Sequence, residues 1–242
     1  MKPIVEICCG SYLDALNAYH GGAKRIELNS ALFLGGLTPT IATLKLIKEN
    51  TDLEVICMLR PRAGGFCYNE QDYQTMISDC KLLLDNSADG IAFGILDINS
   101  DLDVNRCKTI IDIVKSYHKT VVFHRAIDCV NNLDITIRDL IALKVDRILT
   151  SGLKPKAEDG KDLIMYMQQT YGQDIEILAG SGINYHNAHK LIQDTGINQI
   201  HSSCKAWLED PTTSKYEVNF SYHGDKYEYV SQELVTKLIE SI

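Results

Sequence analysis

The stretch "FHRAID" (123–128) sets a histidine, an arginine and an aspartate at the end of an apolar run. His124 is a candidate general acid or base near neutral pH. Arg125 or Arg60 would stabilise negative charge, and Asp128 would orient one of these groups. The same side chains would equally form a satisfied polar layer with Glu6 or Glu27. Arg60 and Arg62, in "LRPRAGGF", are spaced as a two-pronged clamp for a carboxylate or phosphate, with Pro61 stiffening the segment between them. The alternative pairs one arginine with Glu6 or Glu27; Arg60 is expected inward and Arg62 on the rim. "LTSG" (149–152) and "LAGSGI" (178–183) expose backbone N–H groups at Ser151, Gly152, Gly180, Ser181 and Gly182, as an anion cradle or as tight turns that need glycine. "VEICCG" presents two adjacent thiols, Cys8 and Cys9, beside Glu6, and "QIHSSC" adds His201.

Composition limits what such residues serve. The 242 residues are 45% hydrophobic and 23% charged, ordinary for a folded chain, and the net charge of −8 argues against a nucleic-acid or membrane-surface partner. An anionic ligand must therefore be met by local positive charge. The N-terminal apolar run is too short for a signal peptide and no stretch approaches the roughly 18 residues of a membrane span, so a cytoplasmic location is expected. Eight cysteines without a C-x-x-C are expected to be reduced, mostly as small buried hydrophobes.

The elements that must position these residues alternate along the whole chain. β-rich runs at 4–8, 25–29, 54–60, 90–96, 121–127, 147–152, 176–182 and 199–204 are each followed by a helix candidate. "GGAKRIEL", "NSADGIAF", "LKVDRILT" and "TGINQIHS" recur every second unit and enter strands at Ile26, Ile91, Ile148 and Ile200. That repeat favours one closed (β/α)8 barrel, a TIM barrel spanning 1–242, over an open doubly wound sheet. A long loop, 204–230, precedes the last helix and is expected to act as a lid or subunit contact.

Period-two alternation predicts which side chains enter the barrel. Glu27, Ala92, Leu149 and His201 share the interior, with Asn29, Gly94, Ser151 and Ser203 one layer nearer the mouth. Glu6 and Cys8, Met58 and Arg60, and Val122 and His124 face inward on the odd strands. Cys9, Cys57 and Phe123 face the helices, so Cys8 and Cys9 cannot chelate one ion together. Ligands of this fold bind at the C-terminal mouth, where these polar residues gather.

"VEICCGSYLDALNAYHGGAKRIEL", "GGLTPT", "MLRPRAGGFCY", "GILD", "FHRAID", "RILTSG", "AGSGI" and "HSSCKAW" resemble, in order over about 4–207, the signature blocks of the CutC family, whose members are named as copper homeostasis proteins. The resemblance implies a cytoplasmic (β/α)8 barrel, commonly a homo-oligomer (dimer or higher), with a polar pocket at its mouth. It also implies copper, as Cu(I), with Cys8 as the candidate ligand. Where the family's second strand usually ends in Glu-Leu-Cys, this chain reads Glu-Leu-Asn, so Asn29 replaces a soft thiolate with an amide. Two expectations stay open. One is copper-ion binding. The other is an enzyme on a small anionic, phosphorylated or carboxylated metabolite, with acid–base work by His124, Glu6 or Glu27, Arg60 as charge clamp, and Asp128 and His201 completing the site.

Overall fold

The computed structural model describes residues 3–242. Eight parallel strands, β1 (Ile4–Cys9), β2 (Arg25–Leu28), β3 (Glu54–Met58), β4 (Gly90–Phe93), β5 (Thr120–Phe123), β6 (Arg147–Thr150), β7 (Glu176–Ala179) and β8 (Gln199–Ser202), close into a barrel in sequence order. Helices α1 (Tyr12–His20), α2 (Ile41–Asn50), α3 (Glu70–Asp85), α4 (Val104–Ser116), α5 (Leu133–Ala142), α6 (Lys161–Tyr171), α7 (Ala188–Thr195) and α8 (Gln232–Glu240) surround it. The expected closed barrel is thus what the chain forms.

Local chemistry starts most of these helices. Ser11, Thr40, Asn69, Asp103, Asn132 and Ser231 each accept a backbone N–H of the first turn, satisfying a donor that the helix leaves unpaired. Strand alternation then separates two cores. Ile56, Ala92, Val122, Leu149 and Leu178 form a small cluster inside the barrel, whereas Ile26, Ile91, Ile148, Ile200, Cys9, Cys57 and Phe123 belong to the larger core under the helices. The interior is divided as well. Its β3–β7 side is largely apolar, while β8, β1 and β2 bring Gln199, His201, Glu6, Arg25 and Glu27 together in burial.

The segment after β8 differs from the long loop expected there. It folds as a two-stranded antiparallel arm, β9 (Lys205–Glu209) paired with β12 (Lys226–Val230), and the short strands β10 (Ser214–Lys215) and β11 (Val218–Asn219) pair between them. Its base is tied to α1: Val230 N–H donates to Asp14 Oδ1 at 2.8 Å, and Asn17 Nδ2 donates to the Val230 carbonyl at 2.9 Å. Lys205 and Glu228 pair across the arm and line the mouth of the barrel.

Candidate functional site

A cavity of about 620 Å³ opens at the C-terminal ends of the strands. Its floor is built by neighbouring strands. Cys8 of β1 stands in register with Glu27 of β2, and Glu6 of β1 with His201 of β8, so three adjacent strands deliver a thiol, a carboxylate and an imidazole to one place. One ligand atom from each of Cys8, Glu27 and His201 lies within 4.8 Å of the others. Cys8 Sγ is 3.9 Å from Glu27 Oε2, and His201 Nε2 is 3.9 Å from the same oxygen. Asn29 Nδ2 donates to Glu27 Oε2 at 2.9 Å and approaches Cys8 Sγ at 3.6 Å.

Glu6 lies beneath this cluster and does not line the cavity, so the expectation that it performs acid–base work is corrected. Its carboxylate is consumed by partners. His201 Nδ1 is 2.8 Å from Oε1, Arg25 Nε is 2.8 Å from Oε2, and Arg147 Nη1 approaches Oε2 at 3.9 Å. Burial alone would raise the Glu6 carboxyl, but the His201 hydrogen bond and the two arginine charges hold it at about 2. Glu27 is pushed the other way, first by burial and then by the nearby Glu6 charge. Burial also raises the Cys8 thiol. His201 is held well above the usual histidine range, because its contacts with Cys8, Glu6 and Glu27 outweigh burial.

The opposite wall carries His124, Arg60 and Phe66. His124 is 2% exposed, and its Nδ1 accepts the Ala126 N–H at 3.1 Å, which leaves the ring proton on Nε2. Burial and the Arg60 charge lower its pKa to about 3. Burial therefore favours its neutral form, with an N–H to donate, over the imidazolium. Arg60 faces inward as expected. Its guanidinium donates to the carbonyls of Leu34 at 3.0 Å, Gly36 at 2.9 Å and Gly64 at 2.6 Å, and it packs over Phe66. Most of its clamp is therefore spent on shaping the rim, though its charge remains at the cavity wall.

Several expected anion ligands are engaged elsewhere. Arg62 points away from the cavity, pairing with Asp72 at 2.7 Å, donating to the carbonyls of Ala63, Gly65 and Cys67, and stacking on Tyr68. The Gly152 N–H donates to Thr150 Oγ1 at 2.9 Å, and the Ser151 end of the cradle is already filled by Asp128. Its Oδ1 accepts from Thr150 Oγ1 at 2.6 Å and Leu153 N–H at 3.3 Å, and its Oδ2 accepts from Ser151 N–H, Ser151 Oγ and Arg125 Nε at 3.1, 2.9 and 2.8 Å. Gly152 adopts a φ of +69° and lies so close to the Gly160 carbonyl that a Cβ would collide with it. Gly180 packs against Leu149 and His201 and does not reach the cavity. Asp128 is thus an internal anion in a built cradle. Asp128→Asn is expected to lose about 1–3 kcal/mol of stability through unmatched buried donors. Urea unfolding measures it, and a midpoint equal to wild type would show the cradle to be idle.

Ser181 and Gly182 do reach the cavity, as expected. Both have positive φ, +81° and +74°, and the backbone N–H groups of Ser181, Gly182 and Ile183 find no acceptor among the described residues. A serine held in this region carries strain, which the Ser181 Oγ bond to the Pro155 carbonyl at 2.7 Å helps to fix.

Two partners of the floor, Arg25 and Arg147, are absent from the sequence-based site. The alternation that places Glu27 and Leu149 inside also places the arginines two residues earlier there, which is the signal that would find them.

Fold and site together define a (β/α)8-barrel protein with a cavity at the C-terminal mouth, floored by a thiol, a carboxylate and an imidazole. Within that class, the chain belongs to the CutC family, whose model matches residues 3–206. A family protein CutC of Treponema denticola is 47% identical over the whole of both chains. The copper homeostasis protein cutC homolog of Drosophila melanogaster is 36% identical, covering 88% of this chain and 83% of its own. Among solved structures, a copper homeostasis protein CutC from Streptococcus agalactiae superposes with a TM-score of 0.78 at 26% identity, covering 83% of this chain and 98% of its own. The 3-hexulose-6-phosphate synthase of Salmonella typhimurium aligns with a TM-score of 0.62 at 16% identity over 100% of this chain and 98% of its own, a likeness of fold alone. No helix among the described residues is long and apolar enough to cross a membrane.

Proposed function

We propose that the barrel mouth binds a metal ion through Cys8, Glu27 and His201, in keeping with the copper homeostasis named for its relatives. The observation that carries this is the convergence of three different donor atoms from three adjacent strands within 4.8 Å. The supporting layer has the form that metal sites use: the distal nitrogen of His201 is held by the Glu6 carboxylate, which fixes the ring with Nε2 toward the cluster. Metal-stripped protein should gain about 2.7 kcal/mol of stability at an ion concentration a hundredfold above Kd. Cys8→Ala and Glu27→Gln should lose that gain while unfolding near the wild-type temperature without metal. Equal gains in wild type and both variants would remove the site.

The size of the cavity favours a second ligand beside the ion. About 620 Å³ exceeds what one cation fills, and the free N–H groups of Ser181, Gly182 and Ile183, with the neutral His124, suit the oxygens of a small carboxylated or phosphorylated molecule. An enzyme built this way would use His124 as a donor to a substrate oxygen. A thermal-shift screen of small anions tests it: hits should survive Cys8→Ala and vanish in Gly182→Asp, and hits indifferent to Gly182→Asp would move the anion elsewhere.

A further inference from the structure

The identity of the ion rests on the metal-site reading, which leaves it open; the donor atoms narrow it. Cu(I) is soft and selects thiolate and thioether sulfur, whereas a carboxylate oxygen is a hard donor. The cluster offers one thiol only, and the Met58 thioether of β3 stands on the wall of the same cavity. Cys9 turns under the helices and its Sγ lies against the Ile7 carbonyl at 3.6 Å; Cys204 Sγ lies 3.6 Å from Ser202 Oγ; Cys129 lines the cavity beside Asp128 and takes no part in the cluster. The neighbour of Cys8 Sγ within the cluster is Asn29, which is 2% exposed, offers no sulfur and aims its Nδ2 donor at both Cys8 Sγ and Glu27 Oε2.

We infer that the Cys8–Glu27–His201 site takes a borderline divalent cation of the Zn²⁺ type, leaving one coordination position open to the cavity, and that Asn29 is the residue that disfavours Cu(I). Thiolate, imidazole and carboxylate are the three donors that Zn²⁺ accepts together. Three protein ligands with an open fourth position is the arrangement of zinc sites that act on a ligand, rather than of closed structural ones. Two observations independent of the donor count agree. Glu27 is 3% exposed, yet its Oε1 has no hydrogen-bond partner among the described residues, so the buried carboxylate is satisfied on Oε2 alone. The Glu6 bond to His201 supplies the outer-layer carboxylate that orients zinc-ligating histidines.

The test compares the two ions on the metal-stripped full chain, with Zn²⁺ and anaerobic Cu(I) each titrated against a competing chelator. Zn²⁺ is expected to bind one to one, to weaken at least about tenfold in Cys8→Ser and in Glu27→Gln, and Cu(I) to be surrendered to the chelator. Co²⁺ in place of Zn²⁺ should show thiolate-to-metal charge-transfer absorption in wild type and none in Cys8→Ser. Asn29→Cys should gain Cu(I) retention by adding the second thiol; no gain would overturn Asn29 as the determinant. Wild type that holds Cu(I) against the chelator and releases Zn²⁺ overturns the inference and leaves the metal site standing. Failure to hold either ion overturns both.

Discussion

Replacing Glu6 by glutamine is expected to cost the fold about 3–5 kcal/mol, because it strips the counter-charge from a buried ionic group while leaving the other members in place. Arg25 and Arg147 are 2% and 5% exposed, and water cannot take over the role of the carboxylate. Gln199 Oε1 accepts from Arg25 Nη2 at 2.6 Å and Glu176 pairs with Arg147 at 2.8 Å, so each arginine keeps one partner but loses the anion they share. The loss should appear as a shifted denaturation midpoint. Combining Glu6→Gln with Arg25→Gln should cost less than the sum of the two single changes, since each removes the partner that the other leaves stranded. Additive costs, or a Glu6→Gln variant within about 1 kcal/mol of wild type, would mean that the network contributes little. The same substitution frees the His201 ring, so binding of an ion at the floor should weaken by about 10–100-fold even where the protein remains folded.

The second large effect is a dependence on acid that belongs to His124. The unfolded chain takes up a proton on this histidine near pH 6.5, whereas the folded chain resists until about pH 3, because burial and the Arg60 charge disfavour the cation. Between those values the unfolded state binds more protons, so stability is present above the unfolded value and drains as pH falls through the window. At about 1.4 kcal/mol per pH unit, lowering the pH from 7 to 4 should cost wild type about 3 kcal/mol more than His124→Asn, whose side-chain oxygen can still accept the Ala126 N–H. The difference between the two proteins is the quantity to measure. Glu6, held low, also loses its contribution in acid, while His201, held high, contributes below its unfolded value and loses that contribution as pH rises. Both are common to the two proteins. Parallel stability curves from pH 7 to 4 would show that His124 is not held neutral by its burial.

Much of the architecture was legible because it is written in periods. The alternation that set Glu6, Cys8, Glu27 and His201 inside, and Cys9, Cys57 and Phe123 outside, needs only the geometry of a strand, and the recurring entry at Ile26, Ile91, Ile148 and Ile200 needs only closure of the barrel. What could not be read is which polar groups satisfy one another. Asp128 and Ser151 looked like two halves of a ligand site, yet they bind each other, since the β5 and β6 loops approach in a way that no spacing along the chain records. Arg62 has the same local appearance as Arg60, and the difference is set by Asp72, ten residues further on. The arm was missed for a related reason. "KAWLE" and "KYEYV" pair across an intervening turn of more than a dozen residues, and their largely half-buried or exposed faces lack the apolar signal of a buried strand.

The seam where β8 meets β1 ties together parts of the chain nearly two hundred residues apart. Completion of the floor depends on it: Cys8 and Glu27 emerge early in synthesis, but His201 arrives only when most of the polypeptide has been made. A ribosome-bound or truncated chain that stops short of β8 therefore carries two donors beside an open edge of β1, with no third ligand. Occupancy of the floor thus reports that the barrel has been sewn shut, and a bound ion would act as a clasp on the last stitch, drawing folding and loading into a single late event.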